Sequence, residues 1–364
     1  SSDLPDPYAE PPIAPVGRAA AAQEATSLLP ASRQLTHGAS DVESAFFTPD
    51  GSGVVIVTQR GADLDVTVRS SLYRVDVATG EETPVLADGR ISYVAATYSA
   101  DGAHLYALGA DMGEDGVHFV AANPSLYVAD AEGRSPRRLT DPVEVELHHL
   151  APAGAADVWT VRAQRGSSEL WRVTPAGDVV SVWSGSPTVG LIAGIPGSDD
   201  ALATVTSVDA PSELARVTGD GEPGQQFLTA FAEGLQAATS IATPTELTAT
   251  SRDGYPVHGW VITPQGPGPH PVLLNIHGGP YADYTGDFFD EFQILSEAGY
   301  AVVYCNPRGS ASYGQAHGAA ITGNFGGLDT DDVLSFLDHA LATVPGLDAD
   351  RVGIMGGSYG GYLS

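Results

Sequence analysis

The sharpest chemical feature of this 364-residue chain is a serine set among glycines, G-G-S-Y-G-G at 356–361, directly after the short apolar run 352–355. In a G-x-S-x-G turn the backbone swings abruptly from strand into helix, and small residues on both sides of the serine let the neighbouring elements close in. Ser358 is then expected in a strained conformation, its hydroxyl out at a sheet edge with a helix N-terminus beneath it. That is how a nucleophile for acyl transfer is presented. The plain alternative is a Gly-rich loop, because the chain has 43 glycines; the apolar strand immediately before the motif favours the nucleophile.

A second motif fits the first. His277-Gly278-Gly279-Pro280 follows the apolar run 272–276, where a loop that receives negative charge belongs. Glycine leaves a backbone N–H unshielded there, and the N–H of Tyr359, the residue after the nucleophile, is the expected second donor. One such donor is worth about 3 kcal/mol of barrier. His277 invites a general-base reading, but its place suits a hydrogen bond that orders the loop.

Elements of the right kind surround both motifs. The runs 257–262, 272–276, 301–305 and 352–355 read as strands of a buried, largely parallel sheet. Between them, 287–298 is expected to be a helix with Phe288, Phe292 and Leu295 on one face and Gly299 as its stop. A second helix is expected to be capped by Asp329 or Thr330, with Val333, Leu337 and Leu341 inward and Pro345-Gly346 as its end. Strand, helix, strand, helix, strand is the doubly wound pattern, with ligands at the carboxyl ends of the strands.

The N-terminal part differs. Four segments read alike: SLYRVDVATG at 71–80, SLYVADAEG at 125–133, ELWRVTPAG at 169–177 and ELARVTGDG at 213–221, with starts 54, 44 and 44 residues apart. Asp-Gly turn signals precede the first two, in FTPDGSGVVIV at 47–57 and YSADGAHLYA at 98–107; weaker copies stand near 152–154 and 196–198. A period of roughly 40–50 residues with several strands per unit predicts β-propeller blades. A β-sandwich would not repeat one motif four times in order. The expected organisation is 1–34 linker or poorly ordered lead-in, 35–243 propeller blades and 244–364 an α/β-hydrolase domain.

Taken with NPRGS at 306–310, Tyr313-Gly314, GNFGGLD at 323–329 and GGSYGGY at 356–362, these features resemble the prolyl oligopeptidase family of serine peptidases. The HGGP motif points to its acylaminoacyl-peptidase-like and dipeptidyl-aminopeptidase-like branch. The resemblance covers 244–364 closely, and the repeats agree with the family's N-terminal domain. It implies Ser358 as nucleophile, Gly279 and Tyr359 N–H groups as the oxyanion hole, and a propeller that admits only short or unfolded peptides. It implies structural roles for Arg308 and Asp329.

In this fold the triad follows the order Ser, then Asp or Glu, then His, and six residues follow Ser358. The acid and base are therefore expected outside this sequence, which reads as a hydrolase domain truncated after the elbow behind a partial propeller. The chain alone is expected to be nearly inert. His317, expected in a loop, and His339, expected on the wet face of a helix, are poor substitutes. An esterase on the same scaffold and a non-catalytic propeller interaction module are the competing functions.

The remaining features exclude more than they nominate. All 16 basic residues are Arg against 45 carboxylates, a net charge of −29, so nucleic acid and anionic membrane surfaces are disfavoured partners. No apolar run reaches the roughly 18 residues of a membrane span. Cys305 reads as a small core residue, His148-His149 lacks a third metal ligand, Trp171 and Trp183 read as blade packing, and no phosphate or dinucleotide fingerprint occurs, so no cofactor is expected. A nearly cysteine-free chain fits the cytoplasm without excluding export. Oligomeric state is not legible.

Overall fold

The computed structural model describes residues 32–38, 40–61, 66–87, 89–219 and 225–364. The lead-in expected over 1–34 lies almost wholly outside these residues, and the architecture below belongs to the unit Ala39–Ser364.

Alternating apolar residues broken at Gly turns build four successive four-stranded antiparallel sheets. The first comprises β1 (Val42–Phe47), β2 (Gly53–Thr58), β3 (Ser71–Asp76) and β4 (Glu82–Leu86); the second, β5 (Ile91–Tyr98), β6 (His104–Asp111), β7 (Ser125–Asp130) and β8 (Arg137–Arg138). The third comprises β9 (Glu146–Ala153), β10 (Asp157–Gln164), β11 (Ser167–Val173) and β12 (Val179–Gly185). The fourth comprises β13 (Thr188–Gly194), β14 (Ala201–Ser207), β15 (Ala210–Val217) and β16 (Gln225–Phe227). Each is a meander in chain order. The four repeated segments fall on β3, β7, β11 and β15, the third strand every time.

The Asp-Gly turns work as their chemistry requires. In the β1–β2 turn, Asp50 Oδ1 accepts from Thr48 Oγ1 at 2.7 Å and Ser52 N at 3.0 Å, while Gly51 takes φ +68°. The β5–β6 turn repeats this with Ser99, Asp101 and Ala103. Both faces of the sheets are used for packing. Val55, Val57 and Leu72 of the first sheet meet Tyr93 and Leu105 of the second; Tyr106, Leu108 and Leu126 on the second meet Leu147 and Val158 of the third. Trp159 and Leu170 of the third meet Val189 and Ala203 of the fourth. Among the described residues no sheet closes on itself.

After α1 (Glu233–Ala238) come β17 (Thr245–Thr250), β18 (Pro256–Ile262), β19 (His270–Ile276), α2 (Asp290–Glu297), β20 (Ala301–Asn306), α3 (Gln315–Ala319), α4 (Leu328–Thr343), β21 (Leu347–Gly356) and α5 (Tyr359–Leu363). Their strands form one sheet in the order β17-β18-β20-β19-β21. Strand β19 is parallel to β20 and β21, whereas β17–β18 and β18–β20 are antiparallel. The expectation of a largely parallel sheet is thus corrected to a mixed one. Neighbouring residues of β20 pack on opposite faces: Val303 with Phe336 and Ala340 of α4, and Val302 and Tyr304 with Phe292 of α2. One helix on each side covers the sheet.

Three local expectations are also corrected. Helix α2 starts three residues later than expected, since Asp287 does not cap it; its carboxylate accepts from Ser186 Oγ (2.9 Å) and Thr188 N (3.1 Å) of the sheet region. Helix α4 starts at Leu328, with Gly327 as its N-cap, so Asp329 and Thr330 lie in its first turn. His317 lies in a short helix, α3, not a loop, because both its ring nitrogens are tied down: Nδ1 to Tyr255 OH (2.9 Å) and Nε2 to Pro307 O (2.8 Å).

Candidate active site

Strands β19 and β21 are parallel neighbours, with Ile276 opposite Gly356 at their carboxyl ends. The 277–280 loop and the 357–358 turn therefore emerge side by side. Ser358 adopts φ +54°, ψ −117°, a conformation that non-glycine residues avoid, and it is exposed. Two glycines make the turn sterically feasible. A Cβ on Gly360 would fall 1.9 Å from Ile276 O, and one on Gly356 would fall 2.5 Å from Gly360 C and 2.7 Å from Ile276 O. Helix α5 thus leans directly on the backbone of β19.

The facing loop is equally close. A Cβ on Gly278 would stand 3.4 Å from Ser358 Cβ and 4.0 Å from Ser358 Oγ. Gly279 takes φ +121°, which only glycine tolerates well. Among the described residues, neither Gly279 N–H nor Tyr359 N–H finds an acceptor, and nothing bonds Ser358 Oγ. Two unpaired main-chain donors beside an exposed hydroxyl are the raw material of an anion-receiving site.

The donors are held from behind. The Tyr359 phenol donates to Asp329, a fully buried carboxylate that also accepts from Gly326 N (3.1 Å) and Thr330 N (3.0 Å). Across the 277–280 loop, Tyr281 OH donates to Asn123 and lies 3.2 Å from Glu146 Oε2; Glu146 in turn accepts from Ser312 N at 2.7 Å. Burial pushes the Glu146 carboxyl up, and hydrogen bonds from His148 and Ser312 N more than offset this, leaving it below the usual range. The four-sheet region therefore holds Tyr281, next to the 277–280 loop, and Ser312.

Histidines lie nearby but do not face the serine. His277 is buried, with Nδ1 2.7 Å from Gly278 O and Nε2 2.9 Å from Ser310 Oγ, and burial lowers its pKa. Its ring orders the loop. His317 is engaged as described, and His339 lies on α4 with its carbonyl accepting from Thr343 Oγ1. None of the three is hydrogen-bonded to Ser358. Arg308 is buried over Tyr255 and forms ion pairs with Asp332 (2.6 Å), itself fully buried, and Asp253 (2.6 Å). Cys305 is buried, and burial pushes its thiol far up.

The Asp332 partnership was missed in the sequence. A signal existed: Asp332 lies one turn from Phe336 on the apolar stripe of α4, where an unpaired acid would be costly. The Tyr281–Asn123 contact left no local trace, its partners being 158 residues apart.

The model of the prolyl oligopeptidase family matches residues 287–364. A Bacillus subtilis peptidase, YuxL, is 34% identical over 248 residues, 62% of this chain and 37% of that protein. Dipeptidyl-peptidase 5 of Porphyromonas gingivalis is 25% identical over 334 residues, 89% of this chain and 47% of the relative. The Pyrococcus horikoshii acylaminoacyl peptidase structure superposes with a TM-score of 0.74 at 23% identity, over 88% of this chain and 49% of that one. The chain thus spans half or less of the length of these relatives.

Proposed function

We propose, from the match of residues 287–364 to the prolyl oligopeptidase family model, that the chain carries the nucleophile half of a serine peptidase acting on short peptides. Ser358 Oγ attacks the peptide carbonyl, the new oxyanion is received by Gly279 and Tyr359 N–H, the amine leaves, and water hydrolyses the Ser358 ester. The four meanders are blades of a propeller beside the site that limits access to short or unfolded chains. Their grip on Tyr281 and Ser312 supports that arrangement. The observation that carries the reading is the pair of unpaired donors next to a serine held at φ +54°.

A serine hydroxyl needs a base, and no histidine among the described residues is bonded to Ser358. We assign the acid and the base to sequence outside these 364 residues. A fluorophosphonate probe should label Ser358 only slowly in this chain, and rapidly once the sequence is continued through the family's acid and histidine. Rapid labelling of the chain alone would overturn the assignment of the base; no labelling in the continued protein would overturn the hydrolase reading. Peptide anilides should then be cleaved in preference to nitrophenyl esters of similar size, the reverse order favouring an esterase.

A further inference from the structure

Away from the elbow, a cavity of about 440 Å³ lies where turns of the third and fourth sheets meet the first strands of the mixed sheet. No residue of the 277–280 or 356–360 segments forms its wall. Its volume falls within the range of small-molecule sites, roughly 300–1,000 Å³.

Ser167 Oγ and Thr188 Oγ1 in its wall are buried and unbonded among the described residues, and three further groups carry unsatisfied binding capacity. Arg165 occupies the β10–β11 turn, exposed, with its guanidinium 5.3 Å over the Tyr313 ring and no carboxylate partner among the described residues. Trp260 is only 5% exposed, yet its indole N–H has no acceptor among the described residues. Gly286 keeps that N–H uncovered: a Cβ there would sit 2.8 Å from Trp260 Nε1. An uncovered donor at a cavity wall is open to an acceptor on a ligand. Glu246 supplies the opposite charge. One of its oxygens is fixed by His258 Nε2 at 2.6 Å, and His258 is held from the other side by Tyr313 OH at 2.5 Å. The second Glu246 oxygen has no partner among the described residues. Asp287 also lines the cavity, but both its oxygens are occupied by Ser186 and Thr188.

A cation and an indole N–H together with a half-free carboxylate are complementary to a zwitterion. We propose that this cavity binds a short unblocked peptide, of dipeptide size, with its carboxylate on Arg165 and Trp260 N–H and its ammonium on Glu246. The site is separate from the elbow and does not depend on the chain being catalytic.

Calorimetric titration of the 364-residue chain with glycyl-leucine tests this. The expected dissociation constant is on the order of 1 mM or tighter. N-acetyl-glycyl-leucine and glycyl-leucinamide, each lacking one charge, should bind about tenfold more weakly, as should free glycyl-leucine to Arg165→Ala and Glu246→Gln. Glycyl-leucine should also change tryptophan emission, and Trp260→Phe should abolish that change. Because Trp260 is a core residue, the exposed Arg165→Ala variant decides if Trp260→Phe fails to fold. Absence of heat with glycyl-leucine, equal affinity for the blocked forms, or undiminished affinity in Arg165→Ala would each overturn the proposal.

Discussion

In the hairpin turns of the four-sheet region, Gly51 and Gly197 take φ +68° and +72°, and a Cβ on either would meet nothing within 4 Å. At the elbow the demand is reversed. Gly360 has an ordinary helical backbone, but a Cβ there would collide with Ile276 O at 1.9 Å. The hairpin glycines supply a dihedral that other residues adopt at modest cost, whereas Gly360 supplies space, as do Gly194 and Gly219 in the four-sheet region, where a Cβ would sit 2.0 Å from Pro152 O and 1.9 Å from Asp199 O. Charge differs too. Arg134 and Asp130 of the second sheet pair at the surface, whereas Arg308, after β20 of the mixed sheet, is buried against Asp332.

The largest effect that would break this contrast is steric. Gly360→Ala should lower stability by about 4 kcal/mol or more, since the obstacle is backbone on a central strand and cannot rotate aside. Gly51→Ala should cost about 1 kcal/mol, the left-handed penalty alone. Urea unfolding of both variants is the measurement. Similar midpoints would mean that the elbow is not tightly seated on β19.

The next effect is electrostatic. Arg308→Ala leaves Asp332 charged and fully buried, and should cost about 3–4 kcal/mol. Arg308→Lys should recover part of this by restoring the charge without the fork that reaches Asp332 and Asp253 together. Arg134→Ala, in contrast, should leave the urea midpoint unchanged, its partners being solvent-exposed. A midpoint shift in Arg134→Ala as large as that in Arg308→Ala would erase the distinction.

Acid should separate helix α3 and the β1–β2 hairpin in sequence. Burial lowers the pKa of His317 to about 4, from 6.5. The unfolded chain therefore takes up a proton that the folded chain refuses as pH falls from 6.5 towards 4. The stability this neutral ring contributes is complete above pH 6.5 and lost through that window, by about 3 kcal/mol. Burial lowers His258 and His277 in the same direction, while Asp283 and Asp287, raised by burial, act oppositely. The clean readout is the difference between wild type and His317→Gln, which keeps a donor for Pro307 O and cannot be protonated. That difference should shrink by about 3 kcal/mol between pH 7 and pH 4. In the four sheets the turn carboxylate of Asp50 is lowered to about 2, chiefly by the Thr48 hydroxyl, so its contribution is lost only as pH falls below about 4 towards 2. Hydrogen exchange at pH 5 should accordingly show helix α3 opening before the β1–β2 hairpin; the opposite order would contradict the assignment.

What was readable in the sequence follows the same division. The repeats announced one strand each, because a period-2 run ending at Gly is encoded within ten residues, and all four landed on the third strand of a sheet. The serine turn was readable for the same reason: strand, Gly, Ser and Gly are contiguous. Strand β17 went unread although Thr245–Thr250 alternates, since Leu247 and Ala249 are its only apolar residues. Helix α3, five residues long, is too short to show periodicity, and the contacts holding it arise from Tyr255 and Pro307. Arg308 could be singled out, but not its partners 24 and 55 residues away. Local chemistry marks where the site is; the carboxylates that brace it are set by topology.

The smallest effect bears most directly on the site. Ser358 pays a conformational penalty at φ +54°, ψ −117° that glycine would not, and strain of this kind is worth about 1–3 kcal/mol. Because glycine also gains freedom in the unfolded chain, Ser358→Gly should raise stability by a net of about 1 kcal/mol, while Ser358→Ala, equally strained, should not. A gain confined to the glycine variant would show that the surrounding contacts, from Gly360 on Ile276 O to Tyr359 on Asp329, hold the hydroxyl against its own backbone preference. Equal stability of all three proteins would mean that the turn relaxes, and a serine free to relax is not one presented for attack.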